Sequence, residues 1–166
     1  WMITDRRTVG YGKYDYFFSE KTYGYAKAQW EYDLQAALNL RETYTVGLGQ
    51  QIKETETYKL SGEIGVAWVS QDFKTAGDDV EYLAGRAAYA VDWVINTTWS
   101  FGQNAEIVPS LEDADNVYAK VNTRLKASFS EAMFGQLQWL YDWNNNPATG
   151  AERVDNQYLL SIGWKF

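Results

Sequence analysis

Between Val117 and Phe129 the chain sets Tyr118, Lys120, Asn122, Arg124, Lys126 and Ser128 at every second position, with Val117, Ala119, Val121, Thr123, Leu125, Ala127 and Phe129 between them. No helix sorts residues that way. A strand must, because its side chains alternate faces with a period of two. The same alternation recurs along the chain in nine segments of about 10 to 14 residues each. The second opposes Gly24, Ala26, Ala28, Trp30 and Tyr32 to Lys27, Gln29, Glu31 and Asp33, and the fourth opposes Tyr58, Leu60, Ile64, Val66 and Trp68 to Lys59, Ser61 and Glu63. In the last, Gln157 to Phe166, the residues Tyr158, Leu160, Ile162, Trp164 and Phe166 share one face and the chain ends on the aromatic.

Composition narrows what such strands can build. The 166 residues suffice for one domain, and aromatics reach 17% while only two prolines occur, which argues against disorder. No run of about 18 apolar residues exists, so a helical membrane protein is excluded. The chain has neither cysteine nor histidine. That removes disulfides, thiolate metal sites and the commonest general base, and with them hydrolases built on Ser/His or Asp/His pairs. A net charge of −7 disfavours nucleic acid as a partner.

The connections alternate in length. Short polar turns are expected at Ser19 to Lys21, Lys53 to Glu56, near Asn96, and at Ser130-Glu131. Longer links are expected at Leu34 to Asn39, Gln71 to Asp79, Glu112 to Asn116 and Asn144 to Arg153. Outer-membrane barrels show this asymmetry, with tight periplasmic turns and longer extracellular loops. The two Phe-Ser-Glu turns, at Phe18 to Glu20 and Phe129 to Glu131, form an internal echo. Nine strands counted back from a periplasmic carboxy terminus leave the front end outside, whereas bacterial barrels have even strand numbers. We therefore expect at least one further strand upstream of Trp1, an odd number in all, one of them pairing with the closing strand.

Alternation does not say which face meets solvent. A soluble, lipocalin-like ligand-binding barrel would turn its apolar face inward. Against that, the strands match the length needed to cross a bilayer with tilt. Their aromatics gather near strand ends, as Tyr16, Phe18, Trp30, Tyr32, Trp68, Trp93, Trp99, Trp143 and Trp164, in the manner of two interfacial girdles. Charged exceptions on the apolar faces, Arg6, Glu42 and Glu81, fall at strand ends. Gln103 is the mid-strand exception and is expected to mark a β-bulge. The fold class expected is all-β: an antiparallel, up-and-down transmembrane β-barrel forming a single domain.

Several stretches carry a family likeness. Lys13-Tyr-Asp-Tyr-Phe-Phe-Ser-Glu-Lys, Leu48-Gly-Gln-Gln-Ile-Lys-Glu-Thr-Glu, Val108-Pro-Ser-Leu-Glu-Asp and Leu160-Ser-Ile-Gly-Trp-Lys-Phe together resemble the family of salt-induced outer-membrane proteins, a domain of unknown function. The resemblance implies an outer-membrane barrel in a Gram-negative bacterium and carries over no catalytic residue. Lipid bilayer and lipopolysaccharide are the implied surroundings. The closing strand, Gln157 to Phe166, is the expected handle for the outer-membrane assembly machinery.

The polar faces supply the candidate site. Lys27, Arg41, Lys59, Glu63, Arg86, Glu106, Lys120 and Arg124 are expected to line the lumen, either selecting permeating solutes or pairing with one another. Glu63 and Glu106 form an acid/base pair only if a nucleophile or oxyanion device accompanies them, and the sequence supplies neither. They are expected beside Lys59, Arg86 or Arg124, and a lipid-modifying enzyme is the weaker alternative. The acidic links Asp72 to Asp79 and Glu112 to Asp115 match no spaced calcium loop. No cofactor and no metal is expected. The function expected is a structural or passive-transport, porin-like role in the outer membrane.

Overall fold

The computed structural model describes residues 7–33, 38–74, 79–147 and 151–164. Nine strands run in chain order through one antiparallel sheet: β1 (Arg7–Phe17), β2 (Thr22–Asp33), β3 (Leu38–Glu54), β4 (Tyr58–Phe73), β5 (Val80–Val94), β6 (Trp99–Pro109), β7 (Val117–Ser128), β8 (Met133–Asn144) and β9 (Val154–Trp164). Each strand pairs with its chain neighbours, and among the described residues β1 and β9 are not joined to each other. Arg6, Phe166 and residues 34–37 lie outside the described residues, as do 75–78 and 148–150.

The sheet curls upon itself. Flat, β2 and β7 would stand about 24 Å apart at roughly 4.8 Å per strand, yet Lys120 on β7 pairs with Glu31 on β2. Curling sorts the two faces into a wall and an interior. Leu160 is 81% exposed and Ile64 65% on the outer face, whereas Glu31 is 3% and Arg41 6% exposed on the inner one. Apolar residues face out and charges face in, the reverse of a lipocalin-like barrel.

The short turns are made by one device. In turn 18–21, Phe18 N and Ser19 N donate to Thr22 O at 2.9 and 3.2 Å, and the Ser19 hydroxyl accepts from Thr22 N at 3.0 Å. Turn 129–132 repeats this: Phe129 N and Ser130 N donate to Met133 O, and Ser130 Oγ accepts from Met133 N at 3.0 Å. Asn96 does the same through its side-chain oxygen, which accepts from Thr98 N and Trp99 N. Short polar side chains close such turns on their own backbone. The Phe-Ser-Glu echo extends into packing, because Phe18 lies over Gly24 and Phe129 over Gly135, each close enough for an added Cβ to stand 3.0 Å from the ring. An aromatic ring thus covers each strand glycine.

Two expectations change. The first long link is shorter than read, because β3 begins at Leu38. Register shifts between Leu38 and Leu40 and between Glu31 and Asp33 turn Leu38 inward onto Phe73, although strict alternation from Leu40 would send it outward. Gln103 marks no bulge. Its pairings with Val91 and Thr123 are regular, and its amide is held by Tyr89 and Thr123. The bulges lie instead around β3.

At the long-loop end the interior is apolar, which the alternating polar face did not suggest. Ala67, Val69, Tyr82, Ala84, Val108 and Tyr118 form one buried cluster there, and Leu38 with Phe73 a second, against which Ala151 packs.

Backbone approaches are closest where β3 meets β4. A Cβ on Gly47 would stand 2.2 Å from Ile64 O and 2.7 Å from Gly65 Cα, whereas one on Gly12 would meet nothing within 4 Å. Gly47→Ala is expected to destabilise the folded protein by about 2 kcal/mol through overpacking, while Gly12→Ala leaves stability unchanged. Thermal unfolding in detergent, followed by circular dichroism, checks both.

Candidate functional site: a charged interior

The inner face carries ion pairs that bridge strands far apart in sequence. Glu63 on β4 accepts from Lys13 on β1 at 2.6 Å, from Arg86 on β5 at 2.8 Å and from the Tyr23 hydroxyl on β2 at 2.9 Å. Arg86 continues the chain: its Nε donates to Glu106 on β6 at 3.0 Å and its Nη1 also to the Tyr25 hydroxyl at 2.9 Å. Glu106 then takes Lys27 on β2 at 3.3 Å. A second group centres on Glu31, which binds Lys120 and, at 3.2 Å, Arg41. Arg41 reaches Gln71 at 3.3 Å, and Gln71 donates to the Tyr82 hydroxyl at 2.7 Å. Buried charges of this kind require partners, and here each carboxylate holds at least two.

Tyrosines frame these charges. Arg41 lies 4.9 Å from the Tyr118 ring centroid, and Lys13 lies 5.0 and 5.1 Å from those of Tyr23 and Tyr25, distances that allow cation–π attraction. The two β2 rings lie flat because glycines face them. Tyr23 pairs with Gly49 and Tyr25 with Gly47, and a Cβ at Gly49 would stand 2.2 Å from the Tyr23 ring. The glycines make the space that lets both hydroxyls reach the ion network.

Two cavities follow from this layout. A chamber of about 780 Å³ is lined from eight of the nine strands, by residues that include Lys13, Lys27, Glu63, Arg86, Asn104, Glu106, Asn122, Arg124 and Gln157. A vestibule of about 430 Å³ opens toward the long loops, between Glu31, Asp33, Leu38, Arg41, Phe73, Tyr118, Arg153 and Asp155. Lys120 and Asp142 border both. The Arg41, Glu31 and Tyr118 group and the apolar clusters therefore stand at the neck between chamber and long-loop end.

Of the eight residues expected to line the interior, six meet in these networks: Lys27, Arg41, Glu63, Arg86, Glu106 and Lys120. Arg124 is on the inner face and lines the chamber, but only faces Asp92, at 3.7 Å and half in solvent. Lys59 is the outlier. It sits at the short-turn rim, its side chain 63% exposed, opposite Glu54 at 3.5 Å. Its strand position is inward, but β4 begins at Tyr58, so the side chain clears the interior. Glu63 and Glu106 have Arg86 between them as expected, while Lys59 and Arg124 do not join them. Lys13 on β1 and Glu31 on β2, both at inward positions, complete the networks although they are absent from that set of eight. The tyrosines were legible too, since Tyr23, Tyr25, Tyr82 and Tyr118 fall on polar-face positions where an apolar wall has no use for them.

An up-and-down antiparallel sheet that curls with an apolar outside and an ion-paired inside has the architecture of a β-barrel wall. One solved structure, described as the NanC porin in a rhombohedral crystal form, shares the fold with a TM-score of 0.63 at 12% identity, over 96% of this chain and 79% of that one. Within that class the chain belongs to the family described as protein of unknown function, DUF481, whose model matches residues 3–166. Among curated proteins, no sequence matches.

Removing the Glu63 carboxylate takes a buried partner from both Lys13 and Arg86, leaving Lys13 with Asp15 and Arg86 with Glu106. Glu63→Gln is expected to cost about 3 kcal/mol, as for a broken buried ion pair. Lys59→Gln, at the solvated rim, should cost less than about 0.5 kcal/mol. Urea unfolding in the presence of lipid vesicles compares the two.

Proposed function

We propose that this protein is an integral β-barrel of the bacterial outer membrane whose polar interior serves passive movement of small hydrophilic solutes. The inverted polarity of the sheet carries the reading: an apolar wall needs a hydrocarbon surround, and a buried charged interior needs an enclosed aqueous one. The dimensions support it. Tyr58 and Trp68 on β4, Met133 and Trp143 on β8, and Val154 and Trp164 on β9 mark the two ends of the outer band. Each pair is about ten residues apart, or about 33 Å of strand at roughly 3.3 Å per residue. With a tilt of about 40° that spans about 25 Å, the height of the apolar band of such barrels.

In this setting lipid and lipopolysaccharide cover the wall, the short turns face the periplasm, and Gln157–Phe166 is the segment recognised by the assembly machinery. The neck formed by Arg41, Glu31 and Tyr118 limits flow, so the pore is narrow. The resemblance to salt-induced outer-membrane proteins extends the proposal to regulation, in which case the protein's level in the cell envelope rises when medium salt is raised.

The reading is tested by carbonate extraction of cell envelopes, where the protein should stay with the membrane; release into the wash would overturn it. In planar bilayers the purified protein should give small conductance steps, and Tyr118→Ala should enlarge them by opening the neck. A protein that inserts stably but never conducts would leave the structural role and remove the transport one.

A further inference from the structure

One polar group on the outer wall has hydrogen-bonding capacity to spare. Gln103 lies in the middle of β6, on the outer face. Its amide oxygen accepts from the Tyr89 hydroxyl at 2.7 Å, and its Nε2 donates to Thr123 Oγ1 at 2.9 Å. A primary amide has two N–H donors and two acceptor lone pairs. One of each is therefore unspent among the described residues, at a depth that the proposed function places in hydrocarbon. Small and large side chains alternate beside it, Tyr89 being 42% and Ile107 44% exposed. Ala87 and Ala119 flank Ile107 on the neighbouring strands, and Ala105 sits between Tyr89 and Val121.

We propose that two copies of this chain associate through the outer wall of β5–β7, with their Gln103 amides paired across a two-fold axis along the membrane normal. The proposal rests on the membrane reading above. Two copies inserted in the same orientation present every residue at matching depth, so each Gln103 meets its own counterpart. Amides are self-complementary, each donating to the other's oxygen, which is the demand of a two-fold interface. Lipid tails offer neither donor nor acceptor. A different protein would need a polar group at that same depth, which a second copy has by construction. Ala87, Ala105 and Ala119 leave recesses between Tyr89 and Ile107, so the two walls meet with large side chains set against small ones and the amides in reach of each other.

The absence of cysteine from the chain makes the test direct. Single-cysteine variants Ala105→Cys, beside Gln103, and Leu48→Cys, on the β3 wall, are expressed in otherwise unaltered protein and oxidised in carbonate-washed outer membranes. Ala105→Cys should yield a disulfide-linked dimer and Leu48→Cys should not. Adding Gln103→Leu to the first should lower the dimer yield about fivefold or more, the effect of losing a hydrogen bond within a membrane. The proposal fails if both cysteines link equally, if Gln103→Leu changes nothing, or if Ala105→Cys links only to another protein. If the chain is washed out of the membrane, the membrane reading itself falls and takes this proposal with it; the carbonate step separates that result from the others.

Discussion

Glu63 and its three partners hold the interior of this molecule together. A carboxylate taken from water needs compensating charge and hydrogen bonds, and here they come from β1, β2 and β5 at once, through Lys13, Tyr23 and Arg86. Sheet curvature follows from that requirement as much as it permits it. Through Arg86 and Glu106 the same chain of charges returns to β2 at Lys27, so strands far apart in sequence are joined on the inside where no backbone ladder connects them. Among the described residues the outer face carries no such network of ion pairs; apolar side chains and aromatic rings cover it, with isolated hydrogen bonds such as Tyr89 to Gln103 and Trp30 to Glu42.

The ion network is in turn possible only because small residues make room. Gly47, Gly49 and Gly65 leave the inner surface of β3 and β4 flat beneath Tyr23 and Tyr25. Backbone and ring come within contact distance there, and the tyrosine hydroxyls are delivered to Glu63 and Arg86. Toward the long loops the logic changes from charge to packing. Val69, Val108, Leu38 and Phe73 fill the space that charges occupy elsewhere, with Arg41 and Tyr118 at the boundary. A polar chamber and an apolar plug thus share one interior, with Arg41 and Tyr118 at their junction.

Turn chemistry and strand chemistry agree. Every short connection closes on a side chain with a short oxygen arm, Ser19, Thr55, Asn96 or Ser130. Such consistency between local preference and global architecture is what allows a long meander to keep its register. Register is the vulnerable quantity here, since a slip by one residue would send the charges of a strand into the apolar wall. In the acidic link 110–116 the Asp113 carboxylate caps its own loop at Asp115 N, and the Ser110 hydroxyl accepts from Glu112 N and Asp113 N.

The alternating sequence by itself determined the strands, their order, which residues share a face, Leu38 apart, and the short turns, because period-two patterning and turn residues act over a few positions of chain. It also marked most of the charged interior, since a charge on the polar face of such a strand has nowhere else to go. It could not determine which charge meets which. Lys59 and Glu63 are equivalent in pattern, yet one sits at a solvated rim and the other at the centre of the network, because position along the barrel axis depends on where each strand begins and how neighbours are staggered. Nor could it place Leu38, whose inward turn is made by register shifts against two neighbours, or the apolar plug, whose members come from strands β3 to β7 and gather only when the sheet curls. Local alternation decided which residues share a face; only the curled sheet, by bringing distant strands face to face, decided which face is the inside and what meets there.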